Sequence, residues 1–568
     1  MPPLTHAASV TNAEARRGGG TQRRPPFPLP QVPHFCTFEA QLVVAFPTHR
    51  GTGRAMHRYI ALFAIVALVA RVDAQESRAK KSAATDCAIL TALKLANVQI
   101  TAAAAVDPTA SERAMGRGTV CRVDGVIGKE TGFRALLPDD WNRRFMMGGG
   151  GGYVGAVGHY AESAANSGYA TAGTDAGHRG HWLTAGWALN NDERKSAWAA
   201  DAVHETAQVT KQLILAYYGT PPERSYFFGC SNGGRAALME AQRFPEDFDG
   251  IVAFAPAIDW AAFAATSIRN LQVQFPTADF SKPTVTTENL ALLERRILDN
   301  CDLRDAVRDS ILENPRSCDF KLASVGACPK DAPAADCLTT SQRTAIESIY
   351  SPARLGGAVP SAGQPFGNEA DPAAWQLWIT GITPIAVSAT KNAAPSLQGG
   401  FGTEFFKYLV FGDSTWDYRR YDLSHAAADT RAIRALVNPT NPDLSAFAKR
   451  GGKLILAHGW SDPAINPQMS IDYFEAVRRR DESAAQYLRL FMMPGVLHCG
   501  GGTGCDVADW YSVISNWVER GDAPDRVVAK KLGPDGRAIR TRPLCAYPRR
   551  ANYNGKGSTD DQASFSCT

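Results

Sequence analysis

An α/β fold, in which a mostly parallel sheet covered by helices is interrupted by one large insertion, follows from three features of the sequence. From Phe133 to Phe254, short apolar runs alternate with stretches of helical apolar spacing, the rhythm of strand and crossover helix. Inside that rhythm, Tyr226-Phe227-Phe228-Gly229-Cys230-Ser231-Asn232-Gly233-Gly234-Arg235-Ala236 reads as a buried strand turning sharply into a helix. The rhythm breaks at Pro256 and returns at Gly452 with two further strands, the first followed by an aspartate and the second by a histidine.

Residues 1–55 are rich in Gly, Pro, Arg and Thr without periodicity, and read as a disordered or non-native extension. Met56-His57-Arg58 then opens a twelve-residue apolar segment, Tyr59 to Ala70. A membrane-spanning helix needs about 20 apolar residues, whereas the core of a signal peptide needs about 7 to 15. Residues 56–74 therefore read as a signal peptide cut after Ala74, with Met56 the favoured start and Met1 the alternative. This predicts a secreted or periplasmic protein with no membrane span once the signal is removed. Twelve cysteines, eleven of them beyond the cut, fit an oxidising compartment and leave one thiol over. The absence of a C-x-x-C pair argues against a zinc ribbon or a thioredoxin-like site. Sixty basic residues against 56 acidic, and no basic run interleaved with aromatics, set nucleic acid aside as a partner.

Between Cys87 and Ile127 short apolar segments read as strands ahead of the main sheet. Phe133 to Pro138 and Arg144 to Met147 follow as strands, the second running into the five glycines 148–152. Such a run is either a flexible surface loop or backbone that must come close to a ligand, and in a hydrolase of this design that ligand is an oxyanion. Tyr169 to Asp175 is the next strand, and Ser196 to Tyr218 a helix ended by Gly219 and Pro221. His178, His181 and His204 fall in this half and read as structural. Residues 75–256 thus form the first part of a catalytic core, 257–445 an inserted lid, and 446–568 the second part of the core. Lys453 to Ala457 and Tyr487 to Met492 are the returning strands, with a helix at 468–480 between them.

The G-x-S-x-G pattern at 229–233 is a nucleophile elbow, whose glycines allow the serine to stand above the sheet. Ser231 needs a base, because a free hydroxyl is a poor nucleophile near neutral pH. His498, after the last strand, takes that role, and Asp462, after the strand before it, orients the imidazole. The chain order Ser, Asp, His is that of an α/β-hydrolase fold, here with a large inserted lid domain. His458 is a rival base, but it precedes the acid and breaks the order. The N–H groups of Asn232 and Gly151 are the expected oxyanion donors. Cys230 precedes the serine and Cys499 follows the histidine, so a hydrogen-bonded Ser231 and His498 would bring the two cysteines within disulfide reach.

On these motifs, Gly229-Cys230-Ser231-Asn232-Gly233-Gly234, Gly459-Trp460-Ser461-Asp462-Pro463 and His498-Cys499-Gly500-Gly501, the chain resembles the tannase/feruloyl esterase family from about Cys87 onward. The resemblance implies a secreted serine esterase acting on small-molecule esters of aromatic carboxylic acids, such as ferulate, gallate or terephthalate monoesters, through an acyl-enzyme. It implies a structural calcium ion in the lid, held by Asp302, Asp305 and Asp309 and the carbonyls of Val307 and Ile311, and no organic cofactor. Calcium takes six to eight oxygens, which such a loop can begin to supply. It further implies the pairs Cys87–Cys121, Cys301–Cys318, Cys328–Cys337 and Cys545–Cys567 beside Cys230–Cys499, with Cys505 left free. A secreted binding protein on a hydrolase scaffold is the alternative, disfavoured by the intact Ser231, Asp462 and His498; a serine peptidase is a weaker third. Which acid and which alcohol are cleaved depends on lid side chains whose directions a sequence does not give.

Overall fold

In a computed structural model of the chain, residues 86–568 are described apart from 159, 278, 354, 356–360, 382–384 and 388–391. The readings of 1–55 as an extension and of 56–74 as a signal peptide lie outside the described residues. Nine strands form the central sheet: β1 (Val98–Val106), β2 (Val120–Ile127), β3 (Thr131–Pro138), β4 (Arg144–Gly148), β5 (Ala170–Thr174), β6 (Arg224–Cys230), β7 (Gly250–Phe254), β8 (Lys453–Gly459) and β9 (Leu488–Met493). Their spatial order is β1-β2-β3-β5-β4-β6-β7-β8-β9. From β5 to β9 every pairing is parallel, while β1, β2 and β3 extend one edge antiparallel. Of the segment from Cys87 to Ile127, Val98–Val106 and Val120–Ile127 are strands of the main sheet, while Cys87–Ala92 and Ala110–Ala114 are short helices. The tight reversal after Ile127 lets β2 pair along β3 from Val120↔Pro138 to Ile127↔Thr131, which short apolar runs alone do not reveal.

The parallel strands are apolar on both faces because both are covered. Phe145, Met147, Phe227, Ile251, Ala253, Leu454 and Leu456 point to one side. There they meet helices α1 (Ala202–Tyr218), α2 (Asn232–Arg243) and, further along the chain, Gln468–Arg480. The residues between them, Met146, Tyr226, Phe228, Val252, Phe254, Ile455 and Ala457, point to the other side, against the helix Trp510–Arg520. Each large apolar side chain so buried stabilises the fold by about 1.5–3 kcal/mol. Helix Gln468–Arg480 agrees with the sequence reading, and Arg478, Arg479 and Arg480 in its last turn complement the helix dipole.

The insertion begins after β7 and contains α3 (Trp260–Gln274), α4 (Thr287–Cys301), α5 (Thr340–Tyr350) and α6 (Leu397–Glu404); the two later helices of the core are α7 (Gln468–Arg480) and α8 (Trp510–Arg520). Much of the aromatic tract after Phe401 is the insertion's own packing, with Phe406 stacked on Trp416 and both close to Tyr421. Phe401 instead reaches Tyr153 of the core, at 5.6 Å between ring centroids. Tyr153, Trp187 and Trp198 share one apolar cluster with Trp260, Phe401 and Phe405, so the insertion is seated on the core.

All five expected disulfides are formed: Cys87–Cys121, Cys230–Cys499, Cys301–Cys318, Cys328–Cys337 and Cys545–Cys567. Cys505 is free and buried, and burial pushes its thiol up to about 11, so it is inert rather than reactive. No helix among the described residues is long and apolar enough to cross a membrane.

Candidate active site

β6 ends in the elbow. Ser231 has φ 61° and ψ −121°, a region a non-glycine residue enters only at a cost of about 1–3 kcal/mol, and its side chain does not cap α2 although it stands at the N-cap. The backbone pays that strain because the turn is pinned: Ser231 N–H donates to Phe254 O at 3.1 Å, and Ser231 O accepts from Ala257 N–H and Arg235 N–H. The flanking glycines are required by close approach. A Cβ at Gly229 would collide with the Gly233 carbonyl, and one at Gly149 would lie 2.5 Å from Gly233 Cα. Elbow and glycine loop are thus packed backbone to backbone.

In that loop Gly149 N–H is taken by Phe228 O at 3.0 Å, and Gly150 O accepts from Asn232 Nδ2 at 3.2 Å. The side chain of Asn232 therefore ties the residue after Ser231 to the segment holding Gly151, the pair expected to bind an oxyanion. Asn232 Oδ1 in turn accepts from Arg235 Nε at 2.8 Å. Arg235 is fully buried and also donates to the carbonyls of Trp198, Ala199 and Val437, with its guanidinium over the Trp198 ring. Here the helix expected from Ser196 to Tyr218 opens into a π-turn over Ala197–Asp201, and the carbonyls of Trp198 and Ala199 turn to Arg235. Burial pulls the guanidinium down to about 9, so it stays charged at neutral pH. Arg235→Met is expected to destabilise the protein by about 3–5 kcal/mol, because it strands several buried carbonyls at once. Thermal melting of the variant checks this; a parental melting temperature would show that the network carries no weight.

Asp462 is completely buried and fully engaged. Its Oδ1 accepts from Ala464 N–H at 2.8 Å and Ile465 N–H at 2.9 Å, and its Oδ2 lies 2.8 Å from His498 Nδ1 and 3.2 Å from His458 Nε2. Burial pushes the carboxyl upward, but the charge of His498 and hydrogen bonds from both imidazoles outweigh it and hold it well below the usual carboxylate range. The turns after β8 and β9 are laced together by Trp460 N–H to Met493 O and Ser461 N–H to Val496 O, at 2.9 and 3.0 Å. Cys230 and Cys499, with Cα atoms 5.9 Å apart, then fix the histidine loop against the elbow.

Several contributors lie in the insertion, where no motif marks them. Gln364 Nε2 donates to Asp462 O, Gln398 Nε2 to Pro463 O, and Asn368 joins Ser461 Oγ to Thr503 N–H. Trp378 sets its ring edge-on to His498 at 4.9 Å, and Phe401 lies near-parallel to it at 6.1 Å. Trp182, 41 % exposed, also contacts Phe401, at 5.7 Å between ring centroids.

In the expected metal loop, Asp302 accepts from Ser310 N–H, Asp305 from Val307 and Glu313 N–H, and Asp309 from Ile311 N–H and from Arg542 Nη2 at 2.7 Å. Burial, with the charges of Asp309 and Asp302 adding to it, raises Asp305 to about 6, and burial raises Glu313 to about 8. A hard dication would relieve the desolvation and mutual repulsion of these carboxylates. Among the described residues the cluster with three possible ligand atoms within 4.8 Å is another one, His204, Glu240 and Asp247. There Asp247 accepts from His204 and Gln208 and faces Lys211, while burial, with the charge of Asp247 adding to it, pushes the Glu240 carboxyl well above its usual range and both Glu240 oxygens are buried without a hydrogen-bond partner.

A strained serine at the end of β6, an aspartate after β8 and a histidine after β9, on a mostly parallel sheet, define an α/β hydrolase. Residues 115–568 match the family described as "Tannase and feruloyl esterase". An uncharacterized esterase of Xanthomonas campestris is 33% identical, over 90% of this chain and 96% of its own length. The mono(2-hydroxyethyl) terephthalate hydrolase of Piscinibacter sakaiensis is 31% identical, over 79% of this chain and 84% of its own. The crystal structure of feruloyl esterase B from Aspergillus oryzae superposes with a TM-score of 0.73 at 26% identity, covering 85% of this chain and 99% of that one. The chain belongs to the tannase and feruloyl esterase family, and it is a carboxylic ester hydrolase.

Proposed function

We propose that the chain is an exported serine esterase whose acyl group is aromatic. The observation that carries this reading is the buried Asp462–His498 pair, tethered through Cys499 and Cys230 to the strained Ser231 and walled by Trp378. Ser231 Oγ attacks the ester carbonyl while His498 Nε2 takes its proton. The tetrahedral oxyanion is held by the N–H groups of Asn232 and Gly151, a stabilisation of about 3–4 kcal/mol per donor. His498 returns the proton to the departing alcohol, and water then hydrolyses the acyl-enzyme by the same relay. Trp378, partly exposed and backed by the buried Phe401, offers a flat apolar ring beside the histidine, which suits the ring of a phenolic or terephthalic acid better than a flexible aliphatic chain. The named activities of the feruloyl esterase and terephthalate monoester hydrolase relatives support the same acyl class. Five disulfides support an oxidising compartment, secreted or periplasmic.

Comparing kcat/KM on methyl ferulate, methyl gallate, chlorogenic acid and mono(2-hydroxyethyl) terephthalate with that on methyl esters of aliphatic acids tests the assignment. Aliphatic esters turned over as fast as the best aromatic one would overturn the acyl preference.

The lid loop is part of the proposal. Asp302, Asp305 and Asp309 with the carbonyls of Val307 and Ile311 would hold calcium, whose role there is charge neutralisation and not catalysis. Chelation is expected to lower the melting temperature by about 5 °C while leaving turnover at 25 °C within about twofold. Metal analysis finding no calcium, together with unchanged melting on chelation, would remove the site.

A further inference from the structure

His458 breaks the chain order of a triad, yet the fold seals it, completely buried, against the carboxylate that the triad uses. We propose that His458 is a positioning residue for the ester hydrolysis, a second imidazole that shares Asp462 Oδ2 with His498 and sets both the rotation and the electrostatic strength of that carboxylate. The inference rests on the assignment of Ser231, Asp462 and His498 as the triad.

The hydrogen bonds fix the tautomer of His458. Its Nε2 lies 3.0 Å from Ile465 O, a carbonyl that can only accept, so Nε2 carries the proton. The same N–H faces Asp462 Oδ2 at 3.2 Å. Nδ1 lies 2.8 Å from Ser470 Oγ, whose hydroxyl can donate to it. Ser470 is itself fully buried, in the first turn of α7, so the ring is held from a rigid helix on one side and from the acid turn on the other. A neutral imidazole satisfies every one of these contacts, and no further proton is called for.

The consequence falls on His498. Asp462 spends Oδ1 on two backbone N–H groups and divides Oδ2 between two rings. Held at Oδ1 by two backbone N–H groups and at Oδ2 by His498, with the His458 N–H shared between Ile465 O and Oδ2, the carboxylate has little freedom to rotate away from His498 Nδ1, and the added dipole stabilises its charge before the reaction begins. It therefore stabilises the imidazolium less than a free carboxylate would. Among the described residues packed here, Gln364 donates to the Asp462 carbonyl and Trp378 presents a ring to His498, neither of them charged. Asp506, from the far side of the histidine loop, is occupied by Gly501 N–H and faces Lys531 Nζ at 3.4 Å.

His458→Phe and His458→Gln, each in the intact protein and compared with the parent and Ser231→Ala, test the proposal through pH profiles of kcat and kcat/KM on a soluble aryl ester. In His458→Phe the donor is lost at nearly constant ring shape. Turnover is expected to fall about tenfold with KM within about twofold. The acid limb of kcat/KM is expected to move upward by about half a pH unit or more, because His498 then faces a less neutralised carboxylate. His458→Gln, whose amide N–H can replace the donor, should recover most of both losses. A folded His458→Phe with an unmoved acid limb, or a His458→Gln as slow as His458→Phe, would overturn the role. Should His458→Phe fail to fold, the low-field proton spectrum of the parent decides: two exchange-protected ring N–H resonances are expected, one of which disappears in His458→Gln, and a single resonance would overturn the role. Turnover surviving in Ser231→Ala would instead overturn the triad, so the two failures are told apart.

Discussion

Ser231→Ala is expected to lower turnover of an activated aryl ester by roughly 10⁴-fold or more, with the melting temperature unchanged. The loss is large because, in the proposed mechanism, the hydroxyl is the atom that becomes acylated. Stability is spared because Ser231 Oγ leaves the helix N-cap unfilled, while the turn is held by backbone bonds from Ser231 N–H to Phe254 O and from Ala257 and Arg235 N–H to Ser231 O. Alanine keeps all three. The backbone strain at φ 61° is also common to both residues, so it cancels in the comparison. Kinetics and thermal melting on the same preparations check the prediction, with labelling by an organophosphonate as a second readout. Retention of more than a few per cent of parental turnover in a normally folded variant would remove Ser231 from the mechanism.

The proposed catalytic framework is legible in the sequence because its residue types are forced by backbone geometry. Gly229 and Gly233 are dictated by backbone approach, Ser231 by the apex of the elbow, and Asp462 and His498 by their places after successive parallel strands. Pairing Cys230 with Cys499 followed from adjacency to residues that must meet. What stayed hidden depends on side-chain direction across distant parts of the chain. Gln364, Asn368, Gln398 and Trp378 lie in the insertion, and only its seating on the core brings them to the acid and histidine turns. His458 was visible as a rival base, but its burial and its hydrogen bond to Ser470 were not. The π-turn at Ala197–Asp201 was equally silent, since the buried guanidinium that its carbonyls meet is that of Arg235, on α2 and distant in sequence.

Replacing Cys230 and Cys499 together by alanine is expected to leave a folded esterase whose kcat is lower by about a hundredfold, with a much smaller change in KM. The sequence suggests a histidine loop with little rigidity of its own, and the structure narrows where that holds. Beyond His498 the loop is braced by Gly501 N–H to Asp506, Thr503 N–H to Asn368 and Gly504 N–H to Gly495. Ahead of it, Val496 O accepts from Ser461 N–H. Between these anchors, Cys499 sits at φ 62° and Gly500 at φ 139°, and the bridge to Cys230 holds that stretch. Without the bridge, Cys499 is free to leave its left-handed conformation, and His498 swings about its contact with Asp462 while Ser231 stays fixed on the elbow. Misplacement of the base by about 1 Å is enough for a loss of this size. The bridge closes a sequence separation of 269 residues, for which the chain-entropy account gives about 5 kcal/mol of stability, so the melting temperature should fall as well. Folding persists because four other disulfides and the two apolar faces of the sheet remain. Peptide mapping of the parent under non-reducing conditions should recover the two half-cystines joined. A folded double variant as fast as the parent would show that the Asp462 contact and the loop braces position His498 by themselves.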